Sequence, residues 1–285
     1  MTDIDTKLTH APLGHEVAYP RSYDPALLFP IERRASRASL PQPRPGWHGA
    51  DIWNAYEISW LGPRGKPLAA AASFVFPQDS THLIESKSFK LYLNSYNESR
   101  HESAAQVCTL MQRDLQQACG APVEVKIYKL DGPDGADRSD GPCAPPRPLQ
   151  GLNIDGLDVD IARYTPAPQL LRLAADAARV EETLVSDLLK TNCPVTGQPD
   201  WGSVQIRYAG PRIDRGALLA YIVSLRQHNE FHEHCVERMY CDIWQACRPE
   251  ALFVYARYTR RGGLDINPWR ASHPAQVANV RTVRQ

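Results

Sequence analysis

The chain has no excess charge: its 32 basic side chains balance 32 acidic ones. Nothing therefore suggests binding to nucleic acid or to an acidic membrane through bulk electrostatics, and any nucleotide contact has to be local. No apolar run approaches the roughly 20 residues that a membrane-spanning helix needs. The opening Met1-Thr2-Asp3-Ile4-Asp5-Thr6-Lys7 lacks the apolar core of a secretory leader, so a cytoplasmic protein is expected. No C-x-x-C pair occurs, which argues against a zinc ribbon or a redox dithiol. The seven cysteines are odd in number and scattered, as reduced thiols are and a disulfide framework is not. No Gly-rich dinucleotide fingerprint is present, so a Rossmann domain is not indicated.

What is there reads as globular: 43% hydrophobic and 22% charged residues over 285 positions, enough for one large or two ordinary domains. Residues 1–46 carry Pro20, Pro25, Pro30, Pro41, Pro43 and Pro45 and are expected to form an extended arm, with Arg33, Arg34 and Arg37 as a solvated charge run. A first folded half spans 47–150. Strands are expected over 51–60 and 70–77, joined through Gly62-Pro63-Arg64-Gly65, then a helix over 91–94. A second helix is capped by Ser103, runs to about Cys119 and is ended by Gly120, and a strand follows over 123–128. The Pro- and Gly-rich 131–150 is the linker. The second half, 151–285, repeats the grammar: a strand over 159–164, a helix over 169–190, a cysteine-bearing loop, a strand over 203–208, a long helix from about 214 to 247, and a strand over 252–258. The fold class is α+β, a tandem of units with antiparallel sheets packed against helices, inferred from element order because no residue-level repeat is visible.

Three stretches could carry chemistry. In Thr191-Asn192-Cys193-Pro194-Val195-Thr196-Gly197-Gln198-Pro199-Asp200, Pro194 ends a helix-like run at Cys193, and Gly197 and Pro199 keep the chain turning. Asp200 then arrives where the loop could fold it back onto the sulfur. A thiol with a carboxylate nearby is a candidate nucleophile, and an inert cysteine in a turn is the alternative. On the long helix, Leu218, Ile222, Leu225, Asn229, His232, Val236, Met239 and Ile243 share one face, so His232 is either a satisfied core histidine or part of a site. Glu233 points about 100° away from it. His228 and His232, four apart, are a possible metal pair that lacks a third ligand. In Glu85-Ser86-Lys87-Ser88-Phe89-Lys90 a strand hands over to a helix. Its hydroxyls and cations could cradle a phosphate, and Glu85 could accept from the donor edge of a purine-like base; an amphipathic turn with solvated lysines is the alternative. Arg257, Arg260 and Arg261 before Gly262-Gly263 make a basic turn that could grip a nucleotide phosphate.

Together Leu83-Ile84-Glu85-Ser86-Lys87-Ser88-Phe89-Lys90, Thr191-Asn192-Cys193-Pro194-Val195-Thr196, Phe231-His232-Glu233 and the run from Arg257 through Arg260-Arg261-Gly262-Gly263 to Pro268 resemble the NADPH-dependent 7-cyano-7-deazaguanine reductases in their long, two-module form. The resemblance covers about residues 19–270. It implies a tandem tunnelling fold shared with GTP cyclohydrolase and its relatives, with sites where modules meet. It implies reduction of a nitrile to a primary amine on the route to the tRNA nucleoside queuosine, with two NADPH per substrate, a covalent thioimide on Cys193, and proton exchange by Asp200. His232 is implied near the reacting carbon. Glu85, Ser86, Phe231 and Glu233 are implied in substrate recognition, and Ser86, Lys87, Ser88, Lys90, Arg260, Arg261 and Gly262 in holding NADPH. The cyclohydrolases bind zinc through a cysteine and a histidine three positions on. Thr196 stands at that position here, so no metal is expected, with a zinc-dependent cyclohydrolase-like enzyme as the alternative. A homodimer without direct nucleic-acid contact is implied as well.

Overall fold

Two long hairpins organise the chain, which the computed structural model describes over residues 19–130 and 139–285; the expected leader-free start and part of the linker lie outside these residues. In the first hairpin β2 (His48–Leu61) pairs with β3 (Pro67–Pro77). In the second β7 (Arg179–Asn192) pairs with β8 (Pro199–Pro211). Each leading strand has 14 residues, and in each the register shifts after its eighth residue, at Ala55 and at Ser186. Such a bulge bends and twists its strand. The shared position is the internal symmetry that the residues themselves do not display.

With β5 (Glu124–Lys129), β6 (Leu152–Asn153), β9 (Ala251–Tyr258) and β10 (Leu264–Ala271) the hairpins form one eight-stranded sheet of order β5-β3-β2-β10-β9-β8-β7-β6. All its pairs are antiparallel except β6 with β7. The halves join where β10 runs along β2, from Leu264 opposite Ala55 to Ala271 opposite His48. A small second sheet pairs β1 (Pro30–Glu32) with β4 (His82–Ile84).

Four helices cover one face. Helix α2 (Ser86–Asn94) and α3 (Ala104–Cys119) close a core around Trp53, Phe74, Phe89, Tyr92 and Met111. Helix α4 (Arg215–Ser224) and α5 (His232–Cys247) close another around Val204, Ile206, Ile222, Val236 and Met239. The caps of α3 are those expected: Ser103 accepts from the Gln106 N–H, and Gly120 takes the left-handed conformation at φ 76°. Cys235, Cys241 and Cys247 are buried, and all seven cysteines are free thiols. The opposite face of the sheet carries Asn54, which donates to Asp265 and to the C-terminal Asn279, and Arg257, which donates to Asn279 and Gln285.

Several expected elements differ. Residues 159–164 form no strand, and 169–190 is not a helix: after a 3-10 turn at Pro168–Leu170 the chain extends into β7. The helix expected over 91–94 begins earlier, at Ser86, because Glu85 caps it. The long helix is two, separated by a 3-10 turn at Leu225–Gln227 and an extended step through His228. The arm is not simply extended over its described part, since it forms a 3-10 turn at Pro25–Leu27, strand β1 and the short helix α1 (Arg33–Arg37).

Nor are Arg33 and Arg37 a solvated run. Arg33 is buried against Asp51, and Arg37 donates to both oxygens of Glu237 on α5 at 3.0 and 2.7 Å. Arg270, 0% exposed, bridges the two acids, 2.8 Å from Asp51 and 2.7 Å from Glu237. The network ties arm, β2, β10 and α5 together. Removing one partner leaves uncompensated charge among buried side chains. Arg270→Met is therefore expected to lower unfolding free energy by ~3–5 kcal/mol in urea denaturation; a loss below 1 kcal/mol would show that the network carries no such burden.

Candidate active site

The loop holding Cys193 is the tip of the β7–β8 hairpin. The Cys193 N–H donates to the Gln198 carbonyl at 2.9 Å, and the Gly197 N–H donates back to the Cys193 carbonyl at 3.0 Å. Gly197 takes φ 68°, which a residue with a Cβ adopts at a cost. The strand before Cys193, not a helix, is what the loop terminates. Asp200 lies in β8 opposite Thr191, so the seven-residue spacing from Cys193 is that of a hairpin, with Asp200 held in the sheet and Cys193 one residue past the end of β7. Each residue is 4% exposed.

The break between α4 and α5 brings a third element to this loop. The His228 carbonyl accepts the Asn192 N–H at 2.8 Å, one residue before the thiol. The helix restarts at His232 with Phe231 as an N-cap that makes no side-chain capping bond. His228 and His232 are thus not two positions of one helical face, and the spacing that made them a possible metal pair is not that of a continuous helix. His228 is buried, and that burial pushes its imidazole down to about 3. Among the described residues no group of three or more His, Cys, Asp or Glu side chains is arranged to hold a metal ion.

His232 stacks on Tyr258 with ring centres 3.9 Å apart and planes 22° from parallel. Its Nε2 is 3.4 Å from Asp200 Oδ2 but makes no aligned hydrogen bond. The other carboxylate oxygen, Oδ1, is 3.0 Å from Arg261 Nε. Glu233 is buried next door; burial first, and the Asp51 charge second, raise its pKa above the ordinary carboxylate range.

Cys193, Asp200, Phe231, His232, Glu233 and Ser86 line one cleft of about 30 Å³, backed by Trp53 and Ile266. That is room for about one water molecule, so a ligand of purine size enters only when the walls part. Ile31 of β1 and Leu83 of β4 pack against Phe231 and Val195, making the arm part of the roof.

The second expected stretch divides. Glu85 is fully buried, its two oxygens accepting the Lys87 and Ser88 N–H groups at 2.7 Å each. It is the cap of α2 and is not among the residues that line the cleft. Ser88 is also fully buried, donating to the Glu85 carbonyl and accepting the Phe29 N–H, so its hydroxyl is not presented to a dinucleotide as expected. Lys87 lies 5.4 Å from the centre of the Tyr19 ring. Lys90 lines a neighbouring cavity of about 410 Å³ with Tyr56, Asn94, Asn97, Gly262 and Gly263. Burial, then the nearby Arg261 charge, lowers the Lys90 pKa. Arg260 is exposed over the Tyr56 ring at 4.9 Å. Arg257 does not join this basic turn: it is buried on the far face of the sheet among Tyr255, Asn279 and Gln285.

Sequence reasoning passed over Trp53 and Tyr258 and gave Arg261 no protein partner. Tyr258 falls in the alternating row of Val254 and Ala256, which read as core, and nothing local marked it as the platform of a histidine.

The family model described as "Nitrile reductase, 7-cyano-7-deazaguanine-reductase N-term" matches residues 19–127, and the one described as "QueF-like protein" matches 199–277. The NADPH-dependent 7-cyano-7-deazaguanine reductase of Bordetella parapertussis is 55% identical, over 98% of this chain and 99% of its own length. The enzymes of that name from Burkholderia vietnamiensis and Chromohalobacter salexigens are 52% and 53% identical, over 97% and 95% of this chain and 98% and 95% of their own. Matching at that identity from end to end, this chain belongs to the family of the NADPH-dependent 7-cyano-7-deazaguanine reductases.

Proposed function

We propose that the protein reduces the nitrile of 7-cyano-7-deazaguanine to the aminomethyl group, consuming two NADPH, as a step of queuosine biosynthesis. The observation that carries the reading is the meeting of Cys193, Asp200, His232 and Glu233 in one nearly dry cleft. The Cys193 sulfur adds to the nitrile carbon: a C–S bond forms, one C–N π bond opens, and the nitrogen takes a proton. Asp200 receives the thiol proton and returns it to that nitrogen, so the thioimide forms with no atom lost. His232, held flat by Tyr258, borders the reacting group beside Asp200. Glu233 faces the hydrogen-bond donors of the deazaguanine ring, Phe231 lines the base, and Ser86 completes the wall.

The residues present fit NADPH. Two like charges, Lys90 and Arg261, crowd each other beside Gly262 and Gly263, both of positive φ, and an anionic phosphate placed there relieves that repulsion. Lys90 and Gly262 would hold it, with Lys87 and Arg260 at the rim, and the bound cofactor supplies hydride to the activated carbon. The closed cleft keeps water from intermediates that hydrolyse.

The two folded parts, 47–150 and 151–285, would act as modules, the first supplying Ser86 and Lys90 and the second the thiol, with two chains forming a cytoplasmic homodimer that takes the free base and does not contact tRNA. No helix among the described residues is long and apolar enough to cross a membrane. Following reduced-nicotinamide absorbance tests the activity: two equivalents consumed per nitrile are expected, and a protein that binds the base and leaves NADPH intact would overturn it.

A further inference from the structure

We infer that Trp53 is a specificity-determining residue of the cleft: its indole N–H donates to the ring carbonyl oxygen of the bound deazaguanine and selects against bases that carry an amino group there. The inference rests on the proposed binding of 7-cyano-7-deazaguanine in this cleft.

A buried indole N–H ordinarily finds an acceptor. Trp47 follows the rule, donating from Nε1 to Gln78 Oε1 at 2.8 Å. Trp53 is 2% exposed, and its Nε1 has no partner among the described residues. Trp60 Nε1 is unpartnered too, but Trp60 does not line the cleft. Of the described side chains that do line it, only Trp53 and His232 bury a polar atom without a partner. His232 Nε2 has Asp200 Oδ2 3.4 Å away, and both belong to the proposed chemistry. That chemistry leaves the Trp53 N–H without a task.

The indole is held where it is. Trp53 lies within β2, paired with Ile266 of β10 on one side and Phe74 of β3 on the other. Its ring meets Phe89 of α2 edge-on, with centres 5.3 Å apart, and Phe76 at the same distance with planes 56° apart. Ile266 lines the cleft beside it. These apolar neighbours offer no acceptor, so an acceptor has to come from the cleft.

The base supplies one. A 7-deazaguanine ring presents a ring N–H and an amino group as donors, with a carbonyl oxygen next to the ring N–H. Glu233 takes the donors in the proposed binding mode, and a carboxylate has nothing to give the oxygen. Moving that oxygen from water into a nearly dry cleft is costly unless a donor meets it. Trp53 and Glu233 line the same cleft, a donor and an acceptor for neighbouring groups on one edge of the ring. With an amino group in place of the carbonyl, N–H would face N–H, and the buried polar groups on both sides would go unpaired.

The test changes one atom on each side of the contact. Binding is measured by calorimetry in Cys193→Ala, where the nitrile is not captured. The probes are 7-cyano-7-deazaguanine and its thiocarbonyl analogue, whose sulfur accepts hydrogen bonds weakly while the ring N–H and amino group remain. With Trp53 present, the oxygen-bearing base should bind about tenfold tighter than the analogue, the scale of one hydrogen bond. Adding Trp53→Phe should weaken the oxygen-bearing base about tenfold and the analogue less than about threefold, with NADPH affinity within about twofold. Benzothienylalanine in place of Trp53 keeps the bicyclic shape and loses only the N–H; it covers the case in which Trp53→Phe does not fold, and should show the same loss of preference. Equal weakening of both bases would make Trp53 a packing residue and overturn the inference. So would a preference that survives loss of the N–H, the result of steric rejection of sulfur, or equal affinity for the two bases with Trp53 in place. A protein that binds neither base overturns the proposed function instead.

Discussion

Cys193→Ala is expected to lose nitrile reduction altogether while folding and binding the base as the wild type does. The thiol is nearly buried in a loop closed by its own backbone bonds, and Cys193 is not one of the positive-φ positions, so alanine needs no change of backbone there. The sulfur removed is the atom that bonds to carbon, and no other cysteine lines the cleft. Of the other buried thiols, Cys235 and Cys241 lie within the helix that starts the site, and burial pushes each up to about 12, so neither offers a thiolate to take its place. Residual NADPH consumption in the variant should be indistinguishable from the no-enzyme control. Turnover above it would show that the nitrile is reduced without covalent capture.

The second large effect is that of Asp200→Asn. The amide keeps the shape of the carboxylate, so the β7–β8 pairing of Thr191 with Asp200 should persist. What it loses is the capacity to take the thiol proton and to attract Arg261. Both losses act on formation of the C–S bond, and adduct formation should slow by about 10²–10⁴-fold. Binding of the base should change little, because Glu233 and Phe231, the residues proposed to hold it, are left unchanged. A rate equal to that of the wild type would remove Asp200 from the mechanism.

How much of this was legible in the sequence depended on distance along the chain. The helix from Ser103 to Gly120 could be read because its start and stop are local chemistry, and the structure uses both caps. Strand β7 could not. Val180, Leu184 and Leu188 recur every four residues and imitate a helix, yet the bulge after Ser186 resets the alternation and leaves Leu188 exposed while Leu189 is buried. The break before α5 was hidden for a different reason. No Gly or Pro marks it; it exists because the His228 carbonyl is used by Asn192, from a strand 36 residues earlier.

The candidate site followed the same rule. Cys193 with Asp200, and Phe231 with His232 and Glu233, are short runs whose spacing survives folding. Glu85 has a further role that was not read from its run, as the cap of a helix start, a use requiring only its own next three residues. The partners of Arg33, Arg37, Arg261 and Arg270 lie from 18 to 219 residues away in sequence, and a basic residue alone does not reveal whether an acid waits for it inside the fold.

The most direct test of the whole account is the mass of the intact protein after incubation with 7-cyano-7-deazaguanine and no NADPH. An increase equal to the entire mass of the nitrile, with nothing lost, and a proteolytic fragment placing it on Cys193, is the result expected. An unmodified protein under conditions where the base is demonstrably bound would contradict it.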